Sequence, residues 1–282
     1  VQRIVQGRSS TLTKRLYIGS TATNPAPDSA TAVVTRLSDG TSFSPQVTDA
    51  GTGVFQLTLT PAQTATLDTL SVVWTATFIG ETQTYVDQVQ VVSDTWFTLA
   101  EFRSLEPQFQ NTTDYSDGKI SELRTRVESR LESCLGYALV HRYSKETRTP
   151  YGGVLRTRWP YINLIRSISV QGTALTTDEL ANVTTDGTQV YRAANVDWLP
   201  NAGSILIGYE HGLDELDEDA KWSALMLAKQ WAVRGPIDDR AATFSSVEGG
   251  TYGLVVPGRG GSWVGNPDVD AWIDQRRLRT VG

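Results

Sequence analysis

Asp114-Tyr115-Ser116-Asp117, Trp159-Pro160-Tyr161-Ile162 and Ile205-Leu206-Ile207-Gly208-Tyr209-Glu210-His211-Gly212 punctuate residues 116–234, and what lies between them decides the fold. Ser116 or Asp117 can cap a helix in which Ile120, Leu123, Val127, Leu131, Cys134 and Leu135 recur at steps of three or four. Gly136 is a natural stop. Glu122 with Arg126, and Arg124 with Glu128, sit four apart and are expected on the solvent side. Strands are expected at 139–148, 165–170, 189–192 and 204–209, forming a compact β subdomain. A second helix is expected over 214–234. Asp214, Glu215, Asp217, Glu218 and Asp219 crowd its start, where acidic groups favour the positive end of the helix dipole. A calcium loop would need alternating ligands and a central glycine, which these residues do not supply.

That second helix is apolar on more than one side. Leu216, Ala220, Ala224, Leu227 and Trp231 make one stripe, and Trp222, Leu225 and Met226 fall outside it. Such a helix needs cover on more than one face. Two covers are open: a neighbouring subunit, with Trp222, Leu225, Met226 and Trp231 as candidate interface residues, or a central place in the chain's own core.

Upstream, the first ninety-odd residues read as all-β. Leu70, Val72, Trp74, Ala76 and Phe78 alternate with Ser71, Val73, Thr75 and Thr77, the period of a strand with one buried face. Phe55, Leu57 and Leu59 alternate likewise, and 11–18, 32–37 and 84–92 complete at least five strands, separated by turn residues. Asp49, Gly51, Gly53 and Phe55 loosely resemble the Asp-x-Gly-x-Tyr corner of immunoglobulin folds, with Phe55 in place of tyrosine. An immunoglobulin-like sandwich is the expectation.

Downstream of the sandwich, Thr98 and Glu101 form a capping-box pattern opening a short helix that ends before Pro107, and 108–115 is a polar linker. Residues 244–265 carry Gly249-Gly250, Gly253, Gly258 and Gly260-Gly261 and cannot be a stable helix. Asn266 can cap a terminal helix with Pro267 first, Asp268 and Asp270 early, and Arg276, Arg277 and Arg279 late. Val269, Trp272 and Ile273 form its one apolar face. The expected fold class is α+β in two domains: a sandwich over 1–93, then a helical bundle with a small β insertion over 94–243, followed by the glycine-rich loop 244–265 and the helix and tail of 266–282.

The 282 residues suffice for two cores, and hydrophobic and charged contents of 39% and 20% are ordinary for a soluble globular protein. A formal net charge of -6 argues against tight nucleic-acid binding, though not against DNA passing nearby. Cys134 is the sole cysteine, which excludes an internal disulfide and favours folding in a reducing compartment; it reads as a small core residue. No apolar run approaches the roughly 20 residues of a membrane span, and the N-terminus lacks a signal-peptide core, so a soluble chain is expected.

Enzyme readings find few parts. His141 and His211 are the only histidines, without a nearby ligand at metal spacing, so no metal or catalytic site is expected. No Gly-x-Ser-x-Gly elbow occurs. Gly258-Arg259-Gly260-Gly261-Ser262 lacks the Gly-Lys-Ser/Thr ending of a phosphate loop, and no cofactor is expected.

Taken in order, these phrases resemble the head-to-tail connector (adaptor) proteins of long-tailed bacteriophages over about residues 97–280. The family pattern of charged helix, Arg/Trp-Pro lead-in, Ile-x-Ser-Val strand, Tyr-x-x-Gly strand end and alanine-rich helix maps to 122–135, 158–161, 165–170, 209–212 and 220–232. The resemblance implies a non-enzymatic virion protein in the neck, assembled in the host cytoplasm as a ring of about twelve copies. Its implied partners are sister copies, the portal, a tail-proximal neck or stopper protein and, transiently and non-specifically, passing DNA; no membrane is implied. Val269, Trp272, Ile273, Arg276 and Arg277 are then candidate portal-docking residues, unless the terminal helix closes its own subunit's core. The competing class is a surface- or carbohydrate-binding adhesion module. Trp74 discriminates: alternation places it in the core, where a sugar-stacking tryptophan would be exposed.

Overall fold

The strand Asp68–Phe78 alternates without a break, with Leu70, Val72, Trp74, Ala76 and Phe78 all buried. It pairs antiparallel with Glu81–Val92 from Glu81↔Phe78 to Val91↔Asp68, and with Thr31–Arg36 on its other side. The computed structural model describes residues 2–18, 21–22, 29–51, 53–78, 81–151, 153–192, 198, 205–214, 216–233, 243–245, 251–253 and 262–278. Its α-helices are α1 (Leu99–Ser104), α2 (Asp117–Leu135), α3 (Thr177–Ala181), α4 (Glu218–Ala232) and α5 (Pro267–Arg276). The chain is a mixed α+β fold, with a β-rich curled sheet toward the N-terminus and a helix cluster toward the C-terminus.

Contacts divide it into two compact units, residues 1–95 with 140–214, and 96–139 with 215–282. In the first, a nine-stranded sheet runs in the order Thr173–Ala174, Ile162–Val170, Ile205–His211, Arg142–Arg148, Glu81–Val92, Asp68–Phe78, Thr31–Arg36, Ser42–Phe43. Gln2–Val5 adds in parallel to the end of Glu81–Val92. A three-stranded sheet, Ser10–Arg15, Val54–Leu59 and Val47–Gly51, contributes Leu12, Phe55, Leu57 and Leu59 to the same apolar cluster as Val34, Leu70, Val72 and Trp74. Asp49 shapes the turn between its last two strands by accepting the Gly51 N–H at 2.7 Å.

The expected core over 94–243 is thus divided between the units. Its strands join the N-terminal ones because Val92 pairs with Arg142, and the Ser93 N–H donates to the His141 carbonyl at 2.9 Å. A second cluster, with Leu155, Ile162, Ile168, Val190, Trp198, Ile207 and Tyr209, fills one face of this region.

The helical unit is built on its caps. Thr98 and Glu101 form the full capping box of α1, Ser116 caps α2, Gly136 ends α2 in the left-handed conformation at φ 82°, and Asn266 caps α5 with Pro267 in its first turn. Arg103 orders the linker between α1 and α2: its guanidinium donates to the Phe109 and Tyr115 carbonyls at 3.0 and 2.9 Å and meets Asp117 at 2.6 Å. One expectation is corrected. Arg124 and Glu128 do not face solvent; Glu128 is fully buried and accepts the Trp96 N–H at 2.9 Å, and Arg124 donates to the Phe97 carbonyl at 3.0 Å. The Trp96–Phe97 backbone needs those partners, because an unpaired buried peptide group costs about 1–3 kcal/mol. Of the glycine-rich segment 244–265, most lies outside the described residues; Thr243–Ser245 and Thr251–Gly253 pair as two short antiparallel strands.

Candidate functional site

The candidate surface is the outer side of α4. Asp217 caps the helix by accepting the Ala220 N–H at 2.8 Å. Ala220, Ser223, Ala224, Leu227 and Ala228 then bury one stripe, and four of these five are small enough to let neighbouring helices approach closely. The rest of the apolar surface is left over. Trp222 is 57% exposed and Val233 43%, while Leu225, Met226 and Trp231 are half-buried. Trp231 lies under the Arg126 guanidinium, 5.6 Å from the ring centre. Of the four residues expected at an interface, Trp222 is therefore the one presented most openly.

The terminal helix is placed differently. Val269, Trp272 and Ile273 are buried within the helical unit itself, with Trp272 edge-on to Trp96 at 6.2 Å. Asp270 holds the preceding segment: it accepts the Ser262 hydroxyl and the Trp263 and Val264 N–H groups at 2.6, 2.9 and 2.8 Å. Arg276 meets Asp217, the cap of α4, at 2.5 Å, and Arg277 meets Asp274 at 3.3 Å while lying over Trp263. The apolar face of α5 is spent inside its own unit. Arg276 and Arg277 stay half-buried at the surface.

In the β unit, the sequence did not anticipate that Ser144 and His211 would meet. They sit on facing strands, 2.9 Å from hydroxyl to Nε2. His211 is fully buried, stacked on Trp159 at 5.6 Å, and its Nδ1 has no hydrogen-bond partner among the described residues. Burial, followed by the nearby Arg142 charge, pushes the imidazole down to about 2. A general base has to titrate near the working pH. An imidazole held neutral this strongly is a poor base toward Ser144, and the hydrogen bond joins the two strands. Burial likewise raises the Tyr209 phenol, which donates to Glu146 at 2.7 Å. Cys134 is half-buried and burial raises its thiol. Among the described residues, no three His, Cys, Asp or Glu side chains gather as metal ligands, and no helix is long and apolar enough to cross a membrane.

No protein-family model matches this chain, and no curated protein matches it.

Proposed function

We propose that this chain is a structural subunit of a bacteriophage head-to-tail connector ring, joining portal to tail and forming part of the DNA passage. The observation that carries this reading is the outer side of α4, where Trp222 stands 57% exposed beside half-buried Leu225 and Met226. An exposed tryptophan on a helix whose opposite side is fully packed supports a protein contact, since buried tryptophans dominate interface energetics. A head-to-tail interface that closes on itself gives a ring, and the order of sequence phrases supplies the family.

In this reading the N-terminal strands form an immunoglobulin-like sandwich added to a connector-like helical bundle, and two sheets sharing one apolar core are consistent with it. The role is non-enzymatic. Docking to the portal falls to Arg276 and Arg277 and to exposed surface near them, not to Val269, Trp272 and Ile273, which are already covered. The adhesion alternative is weakened at its discriminating residue, because Trp74 is 1% exposed and donates its indole N–H to Asp87 at 3.1 Å. Electron microscopy of the purified chain, alone and with a portal ring, tests the proposal. A closed annulus stacking coaxially on the portal supports it; a monomer retained on glycan resin overturns it.

A further inference from the structure

Tyr151, at 84% exposure, is the most exposed large apolar side chain among the described residues. It sits at the tip of a tight hairpin closed by two reciprocal bonds, Tyr151 N–H to the Val154 carbonyl at 3.0 Å and Val154 N–H to the Tyr151 carbonyl at 3.2 Å. Gly153 makes the turn possible at φ 79°. Burial alternates along both arms: Pro150 and Leu155 are buried, whereas Thr149, Tyr151, Arg156 and Arg158 are exposed. Leu155 anchors the inner side in the cluster around Val190 and Ile207. The hairpin is therefore held from below and presents one tyrosine and two arginines outward.

Neither the Arg156 nor the Arg158 guanidinium has a carboxylate within 4.0 Å among the described residues. Glu146, the nearest in sequence, is occupied by the Tyr209 hydroxyl at 2.7 Å, the Arg158 backbone N–H at 2.7 Å and Arg148 at 2.7 Å. The Arg158 guanidinium lies over the Trp159 ring at 5.3 Å, which orients it without using its N–H donors. Residues 142–166 hold six Lys or Arg and one Glu, a local formal charge of +5 (six less one) in a chain of net charge -6.

We propose that the Tyr151–Arg156–Arg158 hairpin is the element through which this chain contacts the phosphate backbone of duplex DNA. The inference rests on the connector reading, which brings DNA past the chain, and deepens it by naming the contact. Arg156 ends the short strand Leu155–Arg156 and Arg158 follows it in the bend before Trp159, so two exposed guanidiniums lie within one short stretch of backbone. A guanidinium takes phosphate oxygens in pairs, and a tyrosine hydroxyl is a common phosphate donor. Two phosphates per copy give weak binding that repetition around a ring multiplies. Contact of this strength guides DNA without arresting it.

The test is fluorescence anisotropy of the full chain with a duplex of about 20 base pairs, titrated across salt, with mass photometry on the same samples. Two phosphates per copy predict a log–log salt slope of about -1.8 for each copy that touches the duplex, or about a 60-fold loss per tenfold rise in salt for a single copy. The slope steepens in proportion when several copies of a ring engage together. Arg156→Glu with Arg158→Glu should weaken binding at least about tenfold, and Tyr151→Ala should weaken it measurably. Arg8→Glu with Lys119→Glu, the same charge change elsewhere, should leave it within about twofold. Should the reversal disturb folding, judged by circular dichroism, Arg156→Gln with Arg158→Gln decides instead. Equal loss in both double variants, a slope near zero, or polyglutamate competing as well as DNA would overturn the proposal. A monomer that shows the slope sinks the ring alone; a ring without it sinks the DNA contact alone.

Discussion

The phenol of Tyr143 fills the space over Gly208, two strand residues that close the buried side of the β unit. A Cβ at position 208 would stand 2.7 Å from the Ser167 hydroxyl and closer still to the Tyr143 oxygen. Burial raises the Tyr143 phenol to about 12, so it stays neutral, and the Arg166 guanidinium lies over its ring at 5.2 Å. Glycine at 208 is required here by packing, not by backbone conformation.

Gly208→Ala should therefore destabilise the protein by about 1–3 kcal/mol through overpacking. Tyr143→Phe removes the obstructing oxygen, so the double variant should be more stable than the sum of the singles by at least about 0.5 kcal/mol. Urea unfolding of the four proteins measures this. Strict additivity would show that the two residues do not compete for one space.

His211 makes stability depend on pH from its own ordinary range downward. In the unfolded chain it binds a proton near pH 6.5; in the native site it does so only near 2. Between those values the unfolded state holds more protons, so stability falls as the pH falls, by at most about 1.4 kcal/mol per unit. His211→Gln should flatten the stability profile between pH 6.5 and about 4.5, above the ordinary carboxylate range. An unchanged slope in that window would mean the imidazole is reached by solvent.

Asp270 fixes the chain entering α5. Replacing it with Ala leaves the Trp263 and Val264 N–H groups without their acceptor, at a cost of about 2–4 kcal/mol. Hydrogen exchange should accelerate at these two amides and in α5 before it does in α2. Uniform acceleration across all helices would indicate that the segment has no separate anchoring role.

Much of this architecture is written in local sequence. The alternation at 70–78, the capping box at Thr98 and Glu101, the stop at Gly136 and the Asn266-Pro267 start depend only on near neighbours, and each is present. What depends on distant partners was not legible. Arg124 and Glu128 look like a solvent-facing pair until the Trp96–Phe97 backbone is laid against them. The junction of Val92 with Arg142 bridges fifty positions (142 less 92) and no local pattern announces it. The five-residue helix α3 does carry a local signal, the Thr176–Glu179 capping box, but it buries no residue, so no apolar period follows to mark it as a helix. For the candidate sites, the helical period places Trp222 off the packed stripe of α4, where it is exposed, but leaves open whether α5 turns its apolar residues inward, as it does. The Tyr151 hairpin carried a readable signal, a glycine pair followed closely by Arg156 and Arg158, that an acidic overall charge obscured.

The central claim, that α4 meets a sister copy through its outer side, is tested most directly by mass photometry of the purified full chain beside Trp222→Asp. A closed oligomer of wild-type chains that falls to monomers in the variant, with its circular dichroism and thermal midpoint retained, is the predicted result. Identical mass distributions for the two proteins, whether both monomeric or both assembled, would contradict it.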